Sequence, residues 1–139
     1  MKTAYISLSF QNRPLLTPVL AAISEALYHA GMSPFVFVDH YTFNTSQERA
    51  MMAQAMKDIE RCDLLIAETS DKAIGIGVEA GYAKAKGKPV IYLRQDDAAH
   101  STTVAGISDF QLIYTSPADL KQKLEQLLDR ISPDLPPVS

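Results

Sequence analysis

Apolar and polar residues alternate from Ala4 to Phe10, which predicts a first strand. The period then lengthens. Leu16, Val19, Leu20, Ile23 and Leu27 recur at helical spacing. Pro14 and Pro18 fall in or before the first turn, where a missing N–H costs nothing, and Gly31 supplies a left-handed end. Phe35 to Val38 is a continuous apolar run, as suits a buried parallel strand, with Asp39-His40-Tyr41 at its carboxyl end. Thr45, with Glu48 three residues on, makes a capping box for a second helix. That helix turns Met52, Ala55, Met56 and Ile59 inward and ends near Arg61. A third strand spans Leu64 to Ala67, a third helix runs from about Gly77 to Lys86, and a fourth strand spans Val90 to Leu93. The polar stretch from Arg94 to Asp109 reads as a long loop with room for a short helix, and such loops are often functional. Gln111 to Tyr114 is a fifth strand. Ser116-Pro-Ala-Asp119 caps a last helix with Leu120, Leu124, Leu127, Leu128 and Ile131 on one face.

Strands that alternate with helices imply a parallel sheet. The predicted fold is a three-layer, flavodoxin-like α/β domain with five strands in the order 2-1-3-4-5 and helices on both faces. Its ligand site belongs at the carboxyl ends of strands one and three, where the order reverses. Residues 1–131 form the domain and residues 132–139 read as a flexible C-terminal tail.

Composition narrows the partners. The net charge is −3 and there is no cluster of Lys and Arg, which argues against nucleic acid. No apolar run approaches the ~20 residues needed to span a bilayer, so no membrane partner is expected. The alternating N-terminus enters a strand and is not read as a signal peptide. Cys62 is the single cysteine, which excludes an internal disulfide and a cysteine-based zinc site and fits a reducing, cytoplasmic setting. It sits at a helix-to-strand junction, where a buried and inert thiol is expected. His29, His40 and His100 show no metal-ligand spacing, and no Walker loop, Gly-x-Ser-x-Gly or His-Glu-x-x-His occurs.

Chemistry concentrates after strand three. Glu79 is placed in the first turn of its helix, where unsatisfied N–H groups and the helix dipole favour the ionised form. A positioned carboxylate is a nucleophile for sugar chemistry. Equally, a glutamate is common at any helix start. Gly75 and Gly77 either let backbone approach a ligand or serve a tight turn. Tyr5 is either core or an orienter of Glu79.

The run Ile74-Gly-Ile-Gly-Val-Glu-Ala-Gly-Tyr-Ala83, followed by Gly87-Lys-Pro-Val-Ile91, closely resembles the nucleoside 2-deoxyribosyltransferase family. That family includes the 2′-deoxynucleoside 5′-monophosphate N-glycosidases. Its signature, Gly-x-Gly-x-Glu-x-Gly-x-Ala, reads here Gly75, Gly77, Glu79, Gly81 and Ala83. The resemblance spans roughly residues 5–110 in element order and is tight over about 63–93. It implies that Glu79 attacks the anomeric carbon of a nucleoside or nucleotide and forms a glycosyl ester. A second base or water then resolves that ester. It also implies that Tyr5, in Thr3-Ala-Tyr5, positions Glu79 and that Ser101 reaches a neighbouring subunit's sugar or phosphate. Ser7, Ser70, Gly75 and Gly77 are expected among the substrate contacts. The assembly implied is a homodimer or higher oligomer with a shared active site. No cofactor or metal is needed, because the leaving base has only to be protonated.

Two positions depart from that family. Ala55 stands where it carries an acid–base aspartate, and Asp58, one turn on, is the candidate replacement. Ala73 stands where its monophosphate hydrolases carry a phosphate-binding serine, with Ser70 nearby. These departures keep a rival open, a non-catalytic nucleotide-binding module. A carboxylate from Asp58, Asp39 or Glu68 at the pocket would favour the enzyme, and an apolar wall the binder. A flavodoxin-like regulatory domain is disfavoured, because the clustered acids that such domains need for Mg²⁺ are missing.

Overall fold

Successive side chains on a strand point to opposite faces of the sheet. In the computed structural model, which describes residues 1–135, β1 (Lys2–Ser7) sends Ala4 and Ile6 to one face and Tyr5 to the other. The alternation continues in β3 (Leu64–Glu68) and β4 (Val90–Gln95). Leu64, Ile66, Ile91 and Leu93 join Ile6, while Leu65, Ala67, Val90 and Tyr92 join Tyr5. A sheet apolar on both faces has to be covered on both. Leu20 and Ile23 of α1 (Thr17–His29) and Leu124 of α6 (Pro117–Ile131) cover the Ile6 face. Ile59 of α3 (Glu48–Arg61), Ala80 of α4 (Ile74–Ala85) and Val104 of α5 (Thr102–Ile107) cover the Tyr5 face. With β2 (Met32–Val36) and β5 (Phe110–Tyr114), the strands form one five-stranded parallel sheet in the order β2-β1-β3-β4-β5. This is the predicted architecture. The chain leaves β1 for opposite sides in β2 and β3, and that reversal opens a crevice at their carboxyl ends.

Several local readings change. β1 stops at Ser7, although Leu8 and Ser9 stay buried beyond it. β2 is an edge strand whose pairing ends with Ile6 opposite Val36. Nothing holds the next residues extended, so Phe37–His40 coils into a single turn, α2, where the apolar run had predicted strand. The capping box shifts by one residue. Asn44 accepts from the Ser46 N–H, its own N–H donates to Gln47, and a tight turn over Thr45–Gln47 leads into α3. Asparagine is the stronger N-cap of the two candidates, Asn44 and Thr45.

The inward face of α3 is rotated from the predicted one. Met56 is 36 % exposed, whereas Ala55, Asp58 and Ile59 are buried. Gly31 closes α1 in the left-handed region at φ 75°, as predicted. Ser116 caps α6 by accepting from the Asp119 N–H at 3.1 Å. Residues 132–134, read as part of a flexible tail, form a further turn, and Leu135 packs on the core. Residues 136–139 lie outside the described residues. Among the described residues no helix is long and apolar enough to cross a membrane.

Leu124 is fully buried where α6 meets the core beneath the sheet. Leu124→Ala should destabilise the fold by about 2–5 kcal/mol, read as a lowered denaturant midpoint.

Candidate active site

The period of two that builds the sheet also builds the site. Tyr5 and Ser7 lie two residues apart on β1 and project toward α4. The Tyr5 hydroxyl donates to Oε2 of Glu79, and the Ser7 hydroxyl donates to Oε1 at 2.6 Å. Each carboxylate oxygen thus carries one donor, and each keeps a lone pair free. Ser7, expected as a substrate contact, is committed to Glu79 instead.

Glu79 is not in the first turn of its helix. α4 begins at Ile74, which puts the acid in the second turn. There the N–H groups are already paired and the dipole's effect has faded. The predicted preference for the ionised form is therefore reversed in its main cause. Burial raises the Glu79 pKa above 4.5, and the hydrogen bonds from Ser7 and Tyr5 pull it partly back. Burial also pushes the Tyr5 hydroxyl far above its usual range, with the Glu79 charge adding to it, so Tyr5 stays a neutral donor.

Glu79 borders a hollow of about 640 Å³, a volume suited to a small organic ligand. Phe37, Tyr41 and Phe43 line it as a ring cluster, with Phe37 and Phe43 stacked at 6.1 Å and Phe37 and Tyr41 5.0 Å apart. Met51, Met52 and Ala55 of α3 continue the apolar wall, and Glu48 stands on the same helix. The sequence places Phe37 only in the apolar run of a buried strand, and Phe43 carries no expectation there. The α2 turn converts that run from sheet core into pocket wall. A second hollow of about 290 Å³ lies beside the first, lined by Lys72, Ser101 and Thr103, and the two share Ala73 and Ile76.

Gly75 faces the larger hollow and Gly77 the smaller. Both lie in the first turn of α4 and neither has a positive φ, so no tight turn requires glycine there. A Cβ at either would meet no protein atom within 4 Å. What glycine provides is a bare helix start. Ala73, at the N-cap, offers no capping side chain, so the first-turn N–H groups are left without one.

The other candidates separate. Ser101 sits at the N-cap of α5 with its N–H on the Tyr92 hydroxyl at 3.0 Å, and its own hydroxyl makes no capping bond. Ser70 lines neither hollow. Its hydroxyl donates to Glu68 at 3.0 Å and accepts from the Gln95 N–H at 2.8 Å. Glu68 also takes the Tyr114 hydroxyl at 2.6 Å and is raised in pKa by burial. Asp39 is bound to Arg13 through two hydrogen bonds of 3.0 and 2.9 Å. Asp58 is buried and does not line the hollow; its Oδ1 accepts from Gln54 at 3.1 Å and lies 3.8 Å from Arg61, while Oδ2 has no hydrogen-bond partner among the described residues. None of the three carboxylates weighed for the gap at Ala55 reaches the pocket.

Cys62 is buried and its thiol is pushed up to about 12 by that burial. Among the described residues no group of His, Cys, Asp and Glu could hold a metal ion.

Comparison with known proteins bears on this geometry. The sequence profile of a family described as nucleoside 2-deoxyribosyltransferase matches residues 10–126. A Thermofilum pendens protein with the provisional name 2′-deoxynucleoside 5′-phosphate N-hydrolase 1 is 32 % identical over 85 residues, 58 % of this chain and 59 % of that one. The chain thus spans about three-fifths of that relative's length. The CMP N-glycosidase BcmB of Clostridium botulinum has the same fold, with a TM-score of 0.64 at 20 % identity over 90 % of this chain and 99 % of its own. A 2-deoxyribosyltransferase of Bacillus psychrosaccharolyticus superposes with a TM-score of 0.65 at 16 % identity, over 88 % and 95 % of the two chains.

Glu79 is protonated more readily in the fold than in the open chain. That contribution to stability is full below pH 4.5 and is lost as the pH rises through the raised value. Glu79→Gln should therefore unfold at a higher temperature than the unaltered chain at pH 7. The gap should close as the pH approaches 4.5, and paired thermal melts across pH 4–8 would read it.

Proposed function

Since the chain belongs to the nucleoside 2-deoxyribosyltransferase family, we propose that it is an enzyme that cleaves or exchanges the N-glycosidic bond of a (deoxy)nucleoside or nucleotide, with Glu79 as nucleophile. The observation that carries this reading is the carboxylate held on both oxygens by Tyr5 and Ser7 at the edge of an aromatic-walled hollow. A nucleobase is flat and stacks on rings such as Phe37 and Tyr41. The sugar's anomeric carbon then lies toward Glu79. One Glu79 oxygen bonds to that carbon, the bond to the base nitrogen breaks, and a glycosyl ester remains on Glu79. Water or a second base displaces the ester and restores the carboxylate.

Burial sharpens this chemistry. A carboxylate of raised pKa is more basic once ionised, and the two fixed donors keep it aimed. The uncapped start of α4, with Lys72 on the smaller hollow and the neighbouring Asp71 carboxylate there held by Asn12, favours a substrate that carries a 5′-phosphate. A homodimer or higher assembly with a shared site is part of the proposal. Phe10 at the larger hollow is 73 % exposed and Ile74 at the smaller 89 %, which leaves apolar surface for a second subunit. No cofactor takes part, and the setting proposed is cytoplasmic.

The apolar wall at Ala55 and the missing hydroxyl at Ala73 favour a second reading, a nucleotide-binding module without turnover.

Base release from a panel of deoxy- and ribonucleosides and their 5′-monophosphates, with and without an acceptor base, decides between them. Release that vanishes in Glu79→Gln supports the enzyme. Binding without release supports the module. Tyr5→Phe and Ser7→Ala each remove a hydrogen bond that lowers the Glu79 pKa. Both should shift the acid limb of the rate profile to higher pH, and a limb that stays in place would count against Glu79 as the ionising nucleophile.

A further inference from the structure

The leaving base must pick up a proton, and the residue that supplies it has to stand in the hollow that holds the base. Glu79, Tyr41 and Glu48 are the titratable groups that line it. Glu79 is occupied as nucleophile. The Tyr41 hydroxyl accepts from Gln54 at 3.3 Å, and burial and the Asp58 charge raise its pKa, which makes it a poor acid. Asp58, Asp39 and Glu68 are held elsewhere, as described above. Glu48 remains. It opens α3 seven residues before Ala55, so two helical turns put both on one face of that helix, and both line the hollow. The Asn44–Gln47 capping box fixes the backbone immediately before it. Among the described residues its carboxyl has no hydrogen bond or ion pair.

Resting on the reaction proposed above, we propose that Glu48 is the catalytic acid–base residue that protonates the departing nucleobase. As the carbon–nitrogen bond breaks, its electron pair stays on the base nitrogen and the Glu48 carboxyl gives up its proton to the base. Glu79 meanwhile closes the ester. The Glu48 carboxylate then takes a proton from the attacking water. The oxygen of that water bonds to the anomeric carbon and the ester bond breaks, which returns both carboxyl groups to their starting states.

The test uses leaving groups of different need. 2′-Deoxycytidine and 2′-deoxyadenosine release a base that leaves readily only when protonated, whereas 4-nitrophenyl 2-deoxyriboside releases a phenolate that leaves unaided. All three are used with and without a 5′-phosphate. In Glu48→Gln, base release should fall by about 10²–10⁴-fold. Nitrophenolate release should fall far less. Circular dichroism checks that the exposed Glu48 site tolerates the change. Equal losses on both kinds of probe, or none on either, would overturn the assignment of Glu48 and leave the Glu79 reaction standing. Failure of the unaltered enzyme to release any product, or release that survives Glu79→Gln, would overturn the reaction itself and Glu48's role with it.

Discussion

A carboxyl group set between a sheet and a helix is costly unless donors meet it, and those donors fix everything around it. Here they come from alternate residues of β1, Tyr5 and Ser7, and reach both oxygens of Glu79. The bond from Tyr5 ties α4 to β1 across residues 74 positions apart in sequence. The same ring stacks on Phe35 at 5.9 Å and leans on Phe37 at 6.4 Å, so the aromatic wall is referenced to the same side chain as the acid. The opposing effects are readable in sign. Burial raises the carboxyl pKa, hydrogen bonds lower it, and burial is the larger.

Around this pair the fold supplies a rigid frame. The link from β3 to α4 is braced at its start by Glu68, which takes donors from Ser70 and Tyr114, and Ser70 in turn takes the Gln95 N–H. Asn12 donates to Asp71 at 2.5 Å and joins the loop after β1 to that same link. The Arg13–Asp39 pair holds α2 to the chain leaving β1. These contacts lie at the carboxyl ends of the strands and secure the loops that border the crevice.

Much of this was legible in the sequence, and the exceptions have physical causes. Strand order and layering followed from alternation of period, and the Glu79–Tyr5 pairing followed from resemblance in the Gly75–Ala83 run and in Thr3-Ala-Tyr5. The α2 turn was hidden because Phe35 to Val38 is apolar throughout, and only the end of sheet pairing at Val36 decides where extension stops. The role of Ser7 was hidden because its period matches that of Tyr5 only once β1 is known to face α4. Glu48 was read as half of a capping box. The box closes on Gln47 instead, which frees Glu48 to face the hollow. Asp58 looked suitable by nearness to Ala55, yet it is buried outside the hollow's lining, with its carboxylate on Gln54.

The partition shared by the two hollows has one more consequence. Ala73 and Ile76 belong to both compartments, so these side chains act as a party wall. A bulkier residue at position 73 would take room from both sides together, and selection acting there could not enlarge one chamber while sparing the other. Independent adjustment is possible at Met52 and Gly75 for the larger chamber and at Thr103 and Gly77 for the smaller. Divergence in what this scaffold accepts is therefore channelled to those positions, with the wall between them as the element that has to stay thin.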